Sequence, residues 1–254
     1  MSSLKHLSRA QLLELAQARA ILNLRKSRKA CEASLTEFIR QAWHIIEPAN
    51  PYVHGWHIDA IAMHLEAVDD NEINRLLINI PPGHMKSLLV SVLWPAWLWG
   101  PRNQPNLRFL CASHSQSLAI RDSTRMRRLI VSDWYQERWG DRVKLTGDQN
   151  AKTKFENTAT GFREAVAAGS ITGSRGDIVI IDDPHSVEGA ASEAMRATTT
   201  EWFLEAVPTR LNSPENSAIV VIMQRLNEGD VSGVILDRKS TRLNSSHVKR
   251  SRMP

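Results

Sequence analysis

Two short stretches hold residue types that can act on one substrate together. The first is Pro81-Pro82-Gly83-His84-Met85-Lys86-Ser87, a glycine-containing loop that ends in a lysine beside a hydroxyl. The second is Ile181-Asp182-Asp183-Pro184, with two adjacent carboxylates. A loop of free N–H groups at the positive end of a helix holds phosphates, with Lys86 reaching the outer ones and Ser87 ligating magnesium. Of the two acids, one suits the magnesium shell and the other can orient or deprotonate an attacking water. The chemistry these residues suit is hydrolysis of a magnesium-bound nucleoside triphosphate.

Such chemistry needs strands to deliver the loops. Arg75-Leu-Leu-Ile-Asn-Ile80 reads as a short buried strand before the first loop, and the apolar run after Ser87 reads as a helix. Asp177-Ile-Val-Ile-Ile-Asp182 reads as a central strand of a parallel sheet, covered on both faces, with its acids at the C-terminal end where open α/β sheets bind ligands. The loop departs from the standard phosphate-binding pattern. That pattern places glycine at positions 80 and 85, where this chain has Ile80 and Met85. A left-handed Met85 would cost roughly 1–2 kcal/mol.

The chain of 254 residues is long enough for one substantial core, and 42% hydrophobic and 23% charged residues are ordinary for a globular protein. No apolar run is long enough for a membrane span, and no signal peptide opens the sequence. Cys31 and Cys111 lack metal-ligand spacing and read as reduced, buried thiols. The net charge of +5 comes from residues 238–254, which hold six Lys/Arg and no acid; the rest of the chain carries 26 basic and 27 acidic side chains. That tail has no apolar periodicity and resembles translated sequencing-adapter DNA, the rival reading being a basic arm for nucleic acid. It is set aside here, and the native sequence is expected to be interrupted near Asp237.

Ser8 and Gln11 form a capping box for a first helix over about 8–30, and Ser34 and Glu37 form one for a second through Ile46. Residues 1–40 hold eight Lys/Arg against three acids, a basic region that suits DNA, a partner subunit or plain solvation. Tyr52, Trp56 and His57 precede a helix from about Asp59 to Val68. Trp56 or Tyr52 is a candidate to stack on a nucleotide base and His57 to bond its edge; packing aromatics beside a capping histidine are the alternative. Pro95 should kink or end the helix after Ser87. Arg121, Arg125 and Arg128 fall on one face of a helix over 116–131. Residues 133–176 read as irregular apart from a hairpin, 152–157 with 162–168. Gly173-Ser-Arg175-Gly176 leads into the acidic strand, which makes Arg175 a candidate to reach a γ-phosphate from the ligand edge, in its own or an adjacent subunit. A helix is expected over 189–207, a strand over 217–223 ending at Gln224-Arg225, and a last helix from Glu228.

Assembled, the chain resembles the ATPase half of a tailed-bacteriophage terminase large subunit over roughly residues 35–237. The resemblance rests on Trp56-His57, Pro81 to Ser87, Cys111-Ala-Ser-His-Ser-Gln-Ser, Gly173 to Asp177 running into Asp182-Asp183-Pro184, and Met223-Gln-Arg-Leu with Asp230 and Gly233. It implies an α/β fold, a P-loop NTPase of the ASCE/RecA-like kind, with a mainly parallel sheet flanked by helices after an N-terminal helical region over 1–50. The ATPase domain would cover 51–237. The implied activity is ATP hydrolysis driving double-stranded viral DNA into a procapsid. ATP and Mg²⁺ would be the cofactors. A portal protein, the terminase small subunit and further copies in a ring would be the partners, with no membrane, in the host cytoplasm. By that resemblance Pro82, Gly83, His84, Met85, Lys86 and Ser87 cradle phosphates, with Trp56 and His57 near the base. Ser87 and Asp182 hold magnesium, while Asp183 fills a catalytic slot where most members carry glutamate. Gln224 and Arg225 would couple hydrolysis to movement, and Arg175 would be an arginine finger. The family's RNase H-like nuclease domain is expected beyond the interruption, so the parent protein would also cut DNA and this chain would not. The other readings are a helicase-like P-loop ATPase and an inactive nucleotide-binding fragment.

Overall fold

A computed structural model describes residues 8–171 and 173–242. Residues 243–254, most of the basic tail, lie outside the described residues.

The chain opens with helices α1 (Arg9–Ala33), α2 (Leu35–Ile46) and α3 (Trp56–Asp69). Ser8 and Gln11 close the expected box on α1. Only half of the second box forms: the Ser34 hydroxyl accepts the Glu37 N–H, while the Glu37 carboxylate turns to Arg40 and Gln41 instead. Helix α3 starts three residues earlier than expected, because extended Gly55 serves as its N-cap and accepts the Ile58 N–H through its carbonyl.

Strand β1 (Arg75–Asn79) leads through the loop into a helix beginning at Lys86. That helix is π-helical over Leu88–Leu93 and continues as α4 (Trp94–Trp99). Pro95 therefore neither ends nor interrupts it. It sits in the first turn of α4, where its missing N–H is tolerated.

Then follow β2 (Phe109–Ser113), α5 (Gln116–Val131), α6 (Asp133–Trp139), β3 (Leu145–Asn150), β4 (Lys154–Asn157), β5 (Phe162–Ala167) and β6 (Ile178–Asp182). The stretch read as irregular thus contains α6, capped by the Ser132 hydroxyl, and β3. The expected hairpin is β4–β5. The helix expected over 189–207 is two, α7 (Val187–Ala191) and α8 (Glu193–Glu205), divided at Ser192, whose side chain caps the second. Strand β7 (Ala218–Met223) and α9 (Val231–Arg242) complete the chain.

The seven strands form one sheet in the order β1-β7-β6-β2-β5-β4-β3. The first five in that order run parallel, and β4 and β3 run antiparallel at the edge. Side chains alternate between two faces. Phe109, Cys111, Ile178, Ile180, Val220 and Ile222 pack under the first six helices and the π-helical segment, while Leu110, Ala112, Val179, Ile181, Ile219 and Val221 pack against Trp202, Val207 and Leu211. Every residue of β2, β6 and β7 is buried, as expected of central parallel strands. Registers align Asn79 with Met223, and Asp182 with both Ile222 and Ser113, so these strands end at one rim. Among the described residues no helix is long and apolar enough to cross a membrane, and both cysteines are free and buried.

Candidate active site

The loop after β1 is held at its start by the Ile80 N–H donating to the Met223 carbonyl. It turns through Gly83 at φ 83° and Met85 at φ 59°, both left-handed. Met85 thus pays the conformational cost that its type predicts, and its side chain packs on the core. A Cβ on Gly83 would meet no atom within 4 Å, so the space it would occupy is open. His84 Nδ1 donates to the Pro82 carbonyl across it. Lys86 then enters the helix with its side chain 10% exposed.

Lys86 does not point to solvent. Its Nζ lies 2.8 Å from Asp183 Oδ2. Although β7 separates β1 from β6, the two candidate stretches meet at the same rim. Asp183 is fixed from several sides: its N–H donates to the Ile222 carbonyl, its carbonyl accepts both the His114 N–H and His114 Nδ1, and its Oδ1 accepts the Gln224 N–H at 2.9 Å. Asp183 has φ 45°, a left-handed conformation that aspartate and asparagine adopt far more readily than glutamate. The backbone therefore gives a physical reason for aspartate at this position.

Asp182 is buried, and its Oδ2 accepts the Ser91 hydroxyl at 3.2 Å. Burial pushes its carboxyl up to about 7; the Ser87 hydroxyl pulls the other way, Asp183 and Asp122 push it further up, and Lys86 opposes them. A buried carboxylate under this strain suits a cation. Its hard oxygen, with the Ser87 hydroxyl beside it, fits Mg²⁺, which takes one or two carboxylates and leaves the remaining positions to phosphate and water. Among the described residues no group of three or more His, Cys, Asp or Glu side chains is placed to hold a metal ion.

Beside β1 lies a cleft of about 470 Å³ lined by Trp56, His57, His64, Asn79, Pro81 and His84. It opens directly onto the loop. Trp56 is 80% exposed, and the His57 ring meets His84 edge-on at 5.4 Å. Burial, followed by the nearby His84 and His54, holds His57 below the ordinary histidine range, and its buried Nε2 has no partner. Tyr52 is not at this cleft; it packs on Trp43 and bonds His54.

The structure brings Gln224 to Asp183 through its backbone, with Arg225 exposed next to it. Asp230 folds the following turn by accepting the Leu226, Asn227 and Gly233 N–H groups, and His185 Nε2 accepts the Val231 N–H. Arg175 requires a correction. Strand β5 runs parallel to β2, so residues 168–177 must cross the sheet from the ligand rim to the start of β6. Ser174 bonds Glu164, and Gly176 and Asp177 bond the carbonyls of Arg210 and Arg108, at the opposite rim. Arg175 is therefore a whole strand away from Asp182, and its own side chain does not reach the site that Lys86 and Asp182 share.

Three contributors were not singled out from sequence: Ser91, His114 and Asp122. Ser91 lies four residues after Ser87 in the same helix, and that spacing was a usable signal. Asp122 is held by Arg121 and Arg125, and Arg125 also pairs with Glu47. The arginine stripe is thus largely occupied within the molecule, leaving Arg128 exposed.

No protein-family model and no curated protein matches the sequence. Solved structures do. The large terminase of bacteriophage HK97 matches with a TM-score of 0.56 at 19% identity, over 84% of this chain and 42% of that one. A variant of the large terminase ATPase domain of Thermus phage P74-26 matches with a TM-score of 0.42 at 13% identity, over 72% of this chain and 69% of that one. The chain therefore spans less than half the length of the HK97 protein. At 19% identity that likeness is one of fold. Together with the sheet order and the loop geometry, it gives an α/β P-loop NTPase fold with a helical N-terminal region.

Proposed function

We propose that this chain is the ATP-hydrolysing part of a DNA-packaging motor of the terminase large-subunit kind. The observation that carries the reading is the 2.8 Å pair between Lys86 and Asp183, which joins the phosphate loop to the acidic strand. The likeness of fold to a phage large terminase supports the choice among P-loop ATPases.

In this reading the N–H groups from Gly83 to Lys86 bind the triphosphate, and Lys86 exchanges Asp183 for the outer phosphates. Ser87 and Asp182 would hold Mg²⁺, which supplies charge neutralisation on the phosphates when bound. Asp183, released from Lys86 but still held by the Gln224 N–H and the His114 contacts, would orient and deprotonate the attacking water. Trp56 would cover the base, and neutral His57 would present Nε2 to its edge. Gln224 senses whether Asp183 is paired with Lys86 or free, and the turn built on Asp230 would pass that difference onward with Arg225. Arg175, at the far rim, would act only across a subunit boundary.

The partners in this proposal are double-stranded viral DNA, a portal protein and a small subunit, with several copies in a ring in the host cytoplasm. ATP turnover measured with and without duplex DNA, alongside a strand-separation assay, tests it. The expected result is turnover stimulated by duplex with no unwinding. Unwinding would favour a helicase-like ATPase, and nucleotide binding without any turnover would overturn the motor.

A further inference from the structure

Arg163 on β5 is fully buried, yet its Nε and Nη2 have no hydrogen-bond partner. Burying a guanidinium with donors unsatisfied is costly, and a hydrophobic side chain of similar length would fill the same space at lower cost. Its one strong bond explains its presence. Arg163 Nη1 donates to the Ser91 carbonyl, with Met126 Sδ at 3.8 Å beside it. Ser91 lies in the π-helical segment, where the backbone bonds run five residues back, as from the Trp94 N–H to the Leu89 carbonyl. The site lies where the π-helical segment gives way to α4, a kind of irregularity that concentrates at functional sites.

Ser91 also carries the hydroxyl that donates to Asp182 Oδ2. We infer that Arg163 is a positioning residue for the carboxylate proposed to bind metal: it holds the Ser91 carbonyl and so fixes Ser91, whose hydroxyl aims Asp182. Asp182 Oδ2 thereby accepts the Ser91 hydroxyl, which would leave Oδ1 for a cation. Outer contacts of this sort commonly set metal affinity by tenfold or more. This inference rests on the proposed role of Asp182.

The test uses Arg163→Met, Ser91→Ala and the double variant. Mn²⁺ binding in the presence of a non-hydrolysable ATP analogue is followed by electron paramagnetic resonance, and the Mg²⁺ needed for half-maximal turnover is measured separately. Arg163→Met and Ser91→Ala are each expected to weaken metal binding about tenfold, with little change in nucleotide affinity. The double variant should be no worse than Ser91→Ala alone. Additive losses or an unchanged metal affinity in Ser91→Ala would each overturn the inference, the latter even if Arg163→Met does not fold. A wild-type protein that binds no metal–nucleotide complex overturns the functional reading itself. Unshifted variants of a binding wild type overturn only this inference.

Discussion

Lys86 Nζ lies 2.8 Å from Asp183 Oδ2, and both side chains are largely shielded from water. The cation proposed to bind phosphate therefore neutralises the acid proposed to activate water. In the proposed mechanism a triphosphate would compete for Lys86 and leave Asp183 free. Binding and activation would then be one exchange of partners rather than two separate events.

Asp183→Asn keeps the left-handed backbone and the bond from the Gln224 N–H but removes the base. Nucleotide affinity should stay within a few-fold of wild type, while turnover falls by about 10²- to 10⁴-fold. Asp183→Glu restores the acid but strains the backbone at φ 45°. It should therefore unfold at a lower temperature than Asp183→Asn, as checked by thermal denaturation of both.

Gly83→Ala meets no steric obstacle, so its effect is conformational only. Holding alanine at φ 83° should cost about 1–2 kcal/mol, read as a lower Tm and a weaker affinity for nucleotide.

Asp182 gives the pH dependence. Its carboxyl is raised to about 7 by burial, above its value in the unfolded chain. A group raised in this way stabilises the folded state at low pH and loses that contribution as pH rises through the folded value. Without metal or nucleotide, in chelator, Asp182 should thus become destabilising between about pH 4 and pH 7, by up to roughly 4 kcal/mol. Asp182→Asn should show no such loss, so its Tm advantage over wild type should grow across that range and then level off. Equal pH profiles for the two proteins would show that Asp182 is not held protonated.

Trp56 is the exposed wall of the cleft beside the loop. Trp56→Ala should leave Tm nearly unchanged, because little burial is lost. Losing a base-stacking surface worth about 1–2 kcal/mol should raise KM for ATP roughly tenfold. An unchanged KM would place the base elsewhere.

How much of this was legible in the sequence follows from how local each signal is. The buried run Ile178–Ile181 and the Ser8 box are each set by a few neighbouring residues, and both formed as read. The strand before the loop formed in place but at the sheet edge, and none of its residues is buried as expected, because it pairs on one side only. The polar strand Leu145–Asn150 has little strand propensity of its own and exists because it pairs with β4. Arg175 was misplaced for a topological reason. Reading β4 and β5 as a hairpin does not reveal that β5 runs parallel to β2, and that direction is what carries the next loop to the far rim. Nothing near Ser91 in the sequence points to Arg163, which reaches its carbonyl from across the fold in β5.

The central claim is that the phosphate loop and the acidic strand form one site around a single metal-bound triphosphate. ATP turnover by wild type, Lys86→Ala and Asp182→Ala, in saturating Mg²⁺ with duplex DNA present, tests it most directly. The account predicts turnover in wild type and none above background in either variant. Equal rates in all three proteins would contradict it.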